Sequence, residues 1–147
     1  MIEVEVKGYA SEDVKKVLDK RFKLLEEKTQ VDVYLNHPCR DFRVTDEVLR
    51  LRREVESNTE RFFLTYKGPR RDPKSKTREE IEVEILDYEK MLNLLGKLGF
   101  KQVCVIRKRR KTYKHRDFMI SFDEVDNLGL FVEVEKHVLT REEVPRI

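Results

Sequence analysis

The 147-residue chain is short of several things, and each shortage excludes a class of chemistry. It has only two cysteines, Cys39 and Cys104, far apart in sequence and with no histidine cluster beside them. That argues against a disulfide framework or a thiolate metal site and fits a reduced protein, with Cys104 expected in the core within the apolar run Val103-Cys104-Val105-Ile106. The three histidines, His37, His115 and His137, are scattered without partner spacing, so no histidine-based metal or catalytic centre is in view. The sequence holds no glycine-rich loop of the kind that cradles phosphates with backbone N–H groups, and no serine set in a nucleophile elbow. Any phosphate site must therefore be built from side chains. No charged-then-apolar leader opens the chain, and no apolar run approaches the ~20 residues of a membrane-spanning helix. The expectation is a soluble, cytoplasmic protein.

What is abundant is charge. Charged residues make up 41% of the chain, against about a quarter in ordinary globular domains, yet the formal net charge is only +3. Acids and bases are both plentiful and nearly cancel. This suits ion-pair networks on a heat-tolerant protein, and it equally suits a site that gathers both signs together. The length corresponds to one domain, residues 1–147.

The charges are patterned with period two. In Glu3-Val4-Glu5-Val6-Lys7, an extended backbone puts Glu3, Glu5 and Lys7 on one face and Ile2, Val4 and Val6 on the other. A solvent-facing edge strand would look the same, but the device recurs. It returns as Glu133 and Glu135 between valines, as Arg50 and Arg52 between leucines, as Lys108 and Arg110 in a five-residue basic run, and as Glu80 and Glu82 between Ile81, Val83 and Ile85.

Around these rows, Ser11-Glu12-Asp13-Val14 opens a helix whose apolar face carries Val14, Val17, Leu18, Phe22 and Leu25. Asp87 caps a second helix carrying Met91, Leu92, Leu95 and Leu98, which ends over Gly96 to Gly99. Extended segments are expected near 30–35, 47–54, 61–67, 78–86, 102–113, 118–125 and 130–138, with a turn at Asn127-Leu128-Gly129 and a basic, mobile loop from Gly68 to Lys76. At the C-terminus, Thr140-Arg141-Glu142-Glu143 reads as a capping box with almost no helix after it, as if a natural helix were cut short. About eight strands and two helices without a sustained strand-helix-strand rhythm predict a β-rich α+β fold with an antiparallel sheet. If that sheet closes into a barrel, one-sided charge places one face of each strand inside and the other under the helices.

Arginine rows suit polyphosphates, because a planar guanidinium offers paired donors that match phosphate oxygens. Nucleic acid is a second reading of the basic run, disfavoured by the near-neutral balance and by acidic rows that would repel a phosphate backbone. Glu3, Glu5, Asp123, Glu133 and Glu135 would converge if the first and last strands were neighbours. Clustered carboxylates repel unless protonated or bridged by a cation, and hard oxygen ligands of this kind suit Mg²⁺ or Mn²⁺.

The Glu3-x-Glu5-x-Lys7 motif resembles the signature of the CYTH superfamily, the triphosphate tunnel metalloenzymes. That superfamily groups class IV adenylate cyclases, thiamine triphosphatases, inorganic tripolyphosphatases and fungal RNA triphosphatases. Further matches follow in family order over nearly the whole chain: Gln30-Val31-Asp32-Val33-Tyr34, Leu49-Arg50-Leu51-Arg52, Leu64-Thr65-Tyr66-Lys67-Gly68-Pro69, Thr77-Arg78-Glu79-Glu80, Lys108-x-Arg110-x-x-Tyr113, and Phe122-Asp123-Glu124-Val125 through Glu133-Val134-Glu135. The resemblance implies an eight-stranded antiparallel closed barrel forming a tunnel, with helices outside. It implies that Glu3, Glu5, Asp123, Glu133 and Glu135 hold the metal, and that Lys7, Arg50, Arg52, Lys67, Arg78, Lys108 and Arg110 hold a triphosphate. Glu80 and Glu82 would line the tunnel. Glu3 or Glu5 would activate the attacking group, while Tyr34 and Lys67 resemble a pair that supports the leaving group.

The motifs look closest to the class IV adenylate cyclase group, which implies conversion of ATP to cyclic AMP and pyrophosphate with Mg²⁺ or Mn²⁺. The alternatives are hydrolysis of thiamine triphosphate or inorganic tripolyphosphate and a non-catalytic polyphosphate-binding module. No adenine-reading motif stands out. Either a monomer or a homodimer is compatible, the latter through an apolar helix face bearing Phe22 and Leu25.

Overall fold

The computed structural model describes residues 2–71 and 77–138, with the side chains of Ile2, Glu3, His137 and Val138 outside that description. The expected capping box at Thr140 and much of the expected basic loop therefore lie outside the described residues. The elements run β1 (Ile2–Tyr9), α1 (Glu12–Arg21), β2 (Lys23–Asn36), α2 (Phe42–Thr45), β3 (Val48–Glu56), β4 (Thr59–Lys67), β5 (Arg78–Ile85), α3 (Tyr88–Lys97), β6 (Lys101–His115), β7 (Phe118–Val125) and β8 (Gly129–Val138). No helix among them is long and apolar enough to cross a membrane.

All eight strands are antiparallel to their neighbours, in the ring order β1-β5-β4-β3-β2-β6-β7-β8. The ring closes along a slight seam. β1 pairs with β8 along its whole length, from Ile2↔Val138 to Tyr9↔Phe131. It meets β5 only at Ile2↔Glu79 and Glu3↔Arg78. The expected closed barrel is accordingly a curled eight-stranded sheet whose edges just touch.

The hydrophobic core lies outside this ring. α1 covers β6, β7 and β8, packing Leu18 with Val14 and Phe22 against Tyr113, Ile120 and Phe122. α3 covers β2, β3 and β4, packing Leu95 with Met91 and Leu92 against Val33, Leu35 and Leu51. Apolar residues of one parity thus face the helices, which leaves the charged parity to face inward.

Helix ends follow local chemistry. Asp87 caps α3 by accepting from the Lys90 N–H at 3.0 Å. Gly99 terminates it at φ +98°, where Phe100 N–H returns to Leu95 O at 3.0 Å and an added Cβ would meet Pro38 at 3.1 Å. Ser11 occupies the N-cap of α1 but makes no side-chain cap bond. The tight Ser57-Asn58 link between β3 and β4 has both residues at positive φ, as a primed hairpin turn requires.

Two expectations need correcting. Leu25 is not on a helix, because α1 stops at Arg21 and the chain is already extended at Lys23; Phe22 packs into the α1 core and its ring meets His115 edge-on. Cys104 is exposed, as is Cys39. β7 pairs with β6 only from Lys108 to His115, so the apolar run at 103–105 lies on a stretch flanked by β2 alone.

Candidate functional site

The interior of the curled sheet is a cavity of about 320 Å³ walled by charged and polar side chains. Each strand contributes its inward parity: Glu5 and Lys7 from β1, Glu26, Lys28, Gln30 and Tyr34 from β2, Arg50, Arg52 and Glu54 from β3, Lys67 from β4, Glu80 and Glu82 from β5, Lys108 and Arg110 from β6, Ser121 from β7, and Glu133 and Glu135 from β8. Strand register decides which of these meet. Asp32 stands opposite Arg52, Gln30 opposite Glu54, Arg50 opposite Thr65, and Arg110 opposite Asp123.

Two arginines are clamped. Arg52 gives Nε and Nη2 to the two oxygens of Asp32 at 2.6 and 2.7 Å, and Arg110 does the same to Asp123 at 2.7 Å for both bonds. Both carboxylates are fully buried. Burial opposes ionisation of Asp32, but the Arg52 hydrogen bonds and charge win and hold its pKa at about 2. Bidentate pairing fixes the guanidinium plane and leaves its remaining N–H donors for the cavity.

Arg50 is held less completely. It is buried, its Nη2 lies 3.5 Å from Thr65 Oγ1 and 3.9 Å from Glu82, and its Nε has no hydrogen-bond partner among the described residues. Lys108 Nζ lies 3.7 Å from Asp32. Burial, with Arg110 and Arg52 alongside, pushes its amine down to about 7.

Facing these cations, one ligand oxygen each from Glu5, Glu133 and Glu135 lies within 4.8 Å of the others. Lys67 Nζ sits 3.7 Å from Glu5, and Arg110 Nη2 sits 3.5 Å from Glu133. Glu133 stays ionised against its burial because Arg110, Lys67 and Lys108 surround it, so its pKa is held well below the ordinary range. Three converging carboxylates, all hard oxygen donors, suit Mg²⁺ or Mn²⁺.

Most residues expected at a triphosphate site line this one cavity: Lys7, Arg50, Arg52, Lys67, Lys108 and Arg110, together with Tyr34, Glu80 and Glu82. Two expectations meet a different picture, and a third falls outside the described side chains. Asp123 accepts from Arg110 with both oxygens and is not one of the three converging carboxylates, although the same Arg110 Nη2 also reaches Glu133 at 3.5 Å. Arg78 is not part of the cavity lining; its Nη2 bonds Asp46 O at 3.2 Å and the Asp46 carboxylate at 3.4 Å. Glu3 lies on β1 two residues from Glu5, with its side chain outside the described residues. Asp32, Gln30 and Glu54 carry no role in the motif reading, yet they share Tyr34's or Arg52's parity, and that parity is the signal that places them inside.

A tunnel of antiparallel strands with its charge inside and its apolar core outside defines the fold class. The chain belongs to the CYTH domain family, which matches residues 1–147. It is 51% identical over 142 residues to a Methanocaldococcus jannaschii protein named as a candidate adenylate cyclase, covering 94% of this chain and 78% of that one. It is 30% identical over 111 residues to the adenylate cyclase CyaB of Aeromonas hydrophila, covering 76% of this chain and 54% of CyaB. The solved structure of a Pyrococcus horikoshii OT3 protein superposes with a TM-score of 0.93 at 45% identity, covering 97% of this chain and 82% of that one.

Proposed function

We propose that this chain is a divalent-metal-dependent enzyme that binds a triphosphate inside the tunnel, and that its reaction is conversion of ATP to cyclic AMP and pyrophosphate. The observation that carries the reading is the Nε of buried Arg50, unpartnered among the described residues, in the same cavity as the Glu5-Glu133-Glu135 trio. A buried guanidinium donor without an acceptor is costly unless an anion arrives to accept from it. A carboxylate trio among cations makes little sense for a simple anion binder, and good sense if a cation joins the anion there. Resemblance to relatives named as adenylate cyclases supports the choice of substrate.

In this reading Arg50, Arg52, Arg110, Lys67, Lys108 and Lys7 take the phosphate oxygens, with Arg52 and Arg110 pre-oriented by Asp32 and Asp123. Glu5, Glu133 and Glu135 would hold Mg²⁺ or Mn²⁺, with Glu3 as a further ligand. When bound, such an ion neutralises phosphate oxygens and raises the electrophilicity of phosphorus. The ribose 3′-oxygen forms its bond to the α-phosphorus, the bond from that phosphorus to the β-bridging oxygen breaks, and pyrophosphate leaves with the electron pair. The hydroxyl proton passes to Glu5, and Tyr34 and Lys67 support the charge on the departing pyrophosphate.

The test is a product assay with Mg²⁺ and with Mn²⁺ on ATP, thiamine triphosphate and inorganic tripolyphosphate, resolving cyclic AMP, pyrophosphate and orthophosphate. Cyclic AMP with pyrophosphate is expected, and Glu5→Gln and Arg52→Ala should each lose most turnover. Orthophosphate without cyclic nucleotide would replace cyclisation by hydrolysis at the same residues. Metal-independent binding with no turnover would overturn the enzyme reading.

A further inference from the structure

The tunnel wall changes chemistry along its length. On β3 the inward residues run Arg50, Arg52, Glu54, a distance of about 13 Å at the usual strand rise of ~3.3 Å per residue. At the Arg50 end the wall presents donors. At the Glu54 end acids are added: Glu54 and Glu26 flank Lys28 at 3.1 and 3.0 Å, while β6 brings Lys108 opposite Gln30 and Arg110 opposite Lys28. Arg61, the nearby guanidinium, is engaged by Glu84 at 3.0 and 2.5 Å. The acids of the β2–β3 wall disfavour a polyphosphate beside Glu54, so a triphosphate ester would keep its phosphates on Arg50, Arg52, Lys108 and Arg110 and turn its organic group toward Glu54.

Gln30 stands at that end. It is only 2% exposed, and its Nε2 donates to Glu54 Oε1 at 2.7 Å. An ionised carboxylate only accepts, so it fixes which way the amide points. The amide oxygen, Oε1, is left buried with no hydrogen-bond partner among the described residues. Phe63 lines the same cavity with the Arg61 guanidinium carbon 5.0 Å over its ring centre, a planar pair beside an acceptor that has no partner among the described residues.

We propose that Gln30 Oε1 accepts a hydrogen bond from an N–H group on the organic part of the substrate, and that the Gln30-Glu54-Phe63 end of the tunnel is a subsite for an amino-substituted heteroaromatic base. The inference rests on the triphosphate reading above and adds to it an orientation and the residue that reads the base. A site built around a buried acceptor rejects a ligand lacking the matching donor, because binding then seals the acceptor unpaired. Glu54 acts as a positioning residue by holding the amide in the productive orientation.

The experiment compares the affinities of ATP, of purine riboside triphosphate, which is ATP without its 6-amino group, and of inorganic tripolyphosphate, all with Mn²⁺. Wild-type protein is expected to bind ATP about tenfold more tightly than purine riboside triphosphate. In Gln30→Met, of similar volume but without the acceptor, that ratio should collapse toward one. Equal affinity of wild type for the two nucleotides would overturn the subsite, and so would a preference that survives Gln30→Met. If Gln30→Met does not fold, the wild-type ratio together with Glu54→Gln, which frees the amide to turn, decides the matter: a ratio unchanged in Glu54→Gln overturns it. Tripolyphosphate separates the two levels of the argument. If it binds while the nucleotide ratio is one, only the subsite fails; if it does not bind, the triphosphate reading fails first.

Discussion

Triphosphate binding should draw a proton into the tunnel, and Lys108 should be where it goes. Its amine is buried among Arg110 and Arg52, with Asp32 3.7 Å away, and its pKa is pushed down to about 7. At pH 8 such a group is about one-tenth protonated in the empty tunnel. A polyphosphate placed against it adds several negative charges in a poorly solvated space and favours the ammonium form. Uptake should then be about 0.9 proton per site at pH 8 and about 0.1 at pH 6, where the amine already carries its proton. The assay is titration calorimetry with a non-reacting ATP analogue and Mg²⁺ in buffers of different ionisation enthalpy, wild type against Lys108→Met. The variant removes the Lys108 contribution and leaves the ligand's own protons unchanged. No uptake at pH 8, or equal uptake in Lys108→Met, would refute the reasoning. The same shift has a stability side. A lysine whose folded pKa lies below its unfolded 10.5 binds fewer protons folded than unfolded between those values, so the empty protein gains stability as pH rises from about 7 toward 10.5.

Three further outcomes are expected. Asp32→Asn should destabilise by about 3–5 kcal/mol in a denaturant titration, because it strands Arg52 inside; the carboxyl's folded pKa of about 2 against 3.8 means its contribution is present above about pH 4 and lost as pH falls through about 2, and an Asn variant of wild-type stability would sink the clamp. Asp123→Asn should cut turnover severely while leaving Mn²⁺ affinity within a few-fold, whereas Glu133→Gln and Glu135→Gln should each weaken Mn²⁺ binding tenfold or more; a loss of metal affinity in Asp123→Asn equal to theirs would return Asp123 to the metal ligands. Leu51→Ala, at the centre of the cluster beneath α3, should cost about 2–5 kcal/mol by thermal melting, and a loss under 1 kcal/mol would show that the helix does not lean on that position.

Much of the fold was legible because a strand writes its two faces into sequence with period two. Rows such as Arg50-Arg52 and Glu133-Glu135 between apolar residues identify strands, and they identify a polar face that recurs too often to be solvent alone. The first half of β2 escaped notice for the same reason in reverse. Residues 23–29 include Glu26 and Lys28 on the tunnel side without an apolar alternation to mark them, and only pairing with β6 reveals the strand. Cys104 misled because an apolar run is ordinarily interior, whereas this one lies where β6 has outrun β7.

Composition and alternation were enough to determine that acids and bases would share one face of the strands with apolar residues on the other, and which residue types a site on the charged face would contain. Parity along a strand is a local property, and the chain carries it in its own order. Which acid meets which cation is not local. Asp123 joins Arg110 instead of the trio, Asp32 joins Arg52, and Gln30 meets Glu54 with its oxygen left open, because register across strands separated by 13 to 24 residues sets those partners. Register is settled by turn geometry and by which face of each strand is buried under α1 and α3, and only the tertiary structure brings that packing and the tunnel chemistry together.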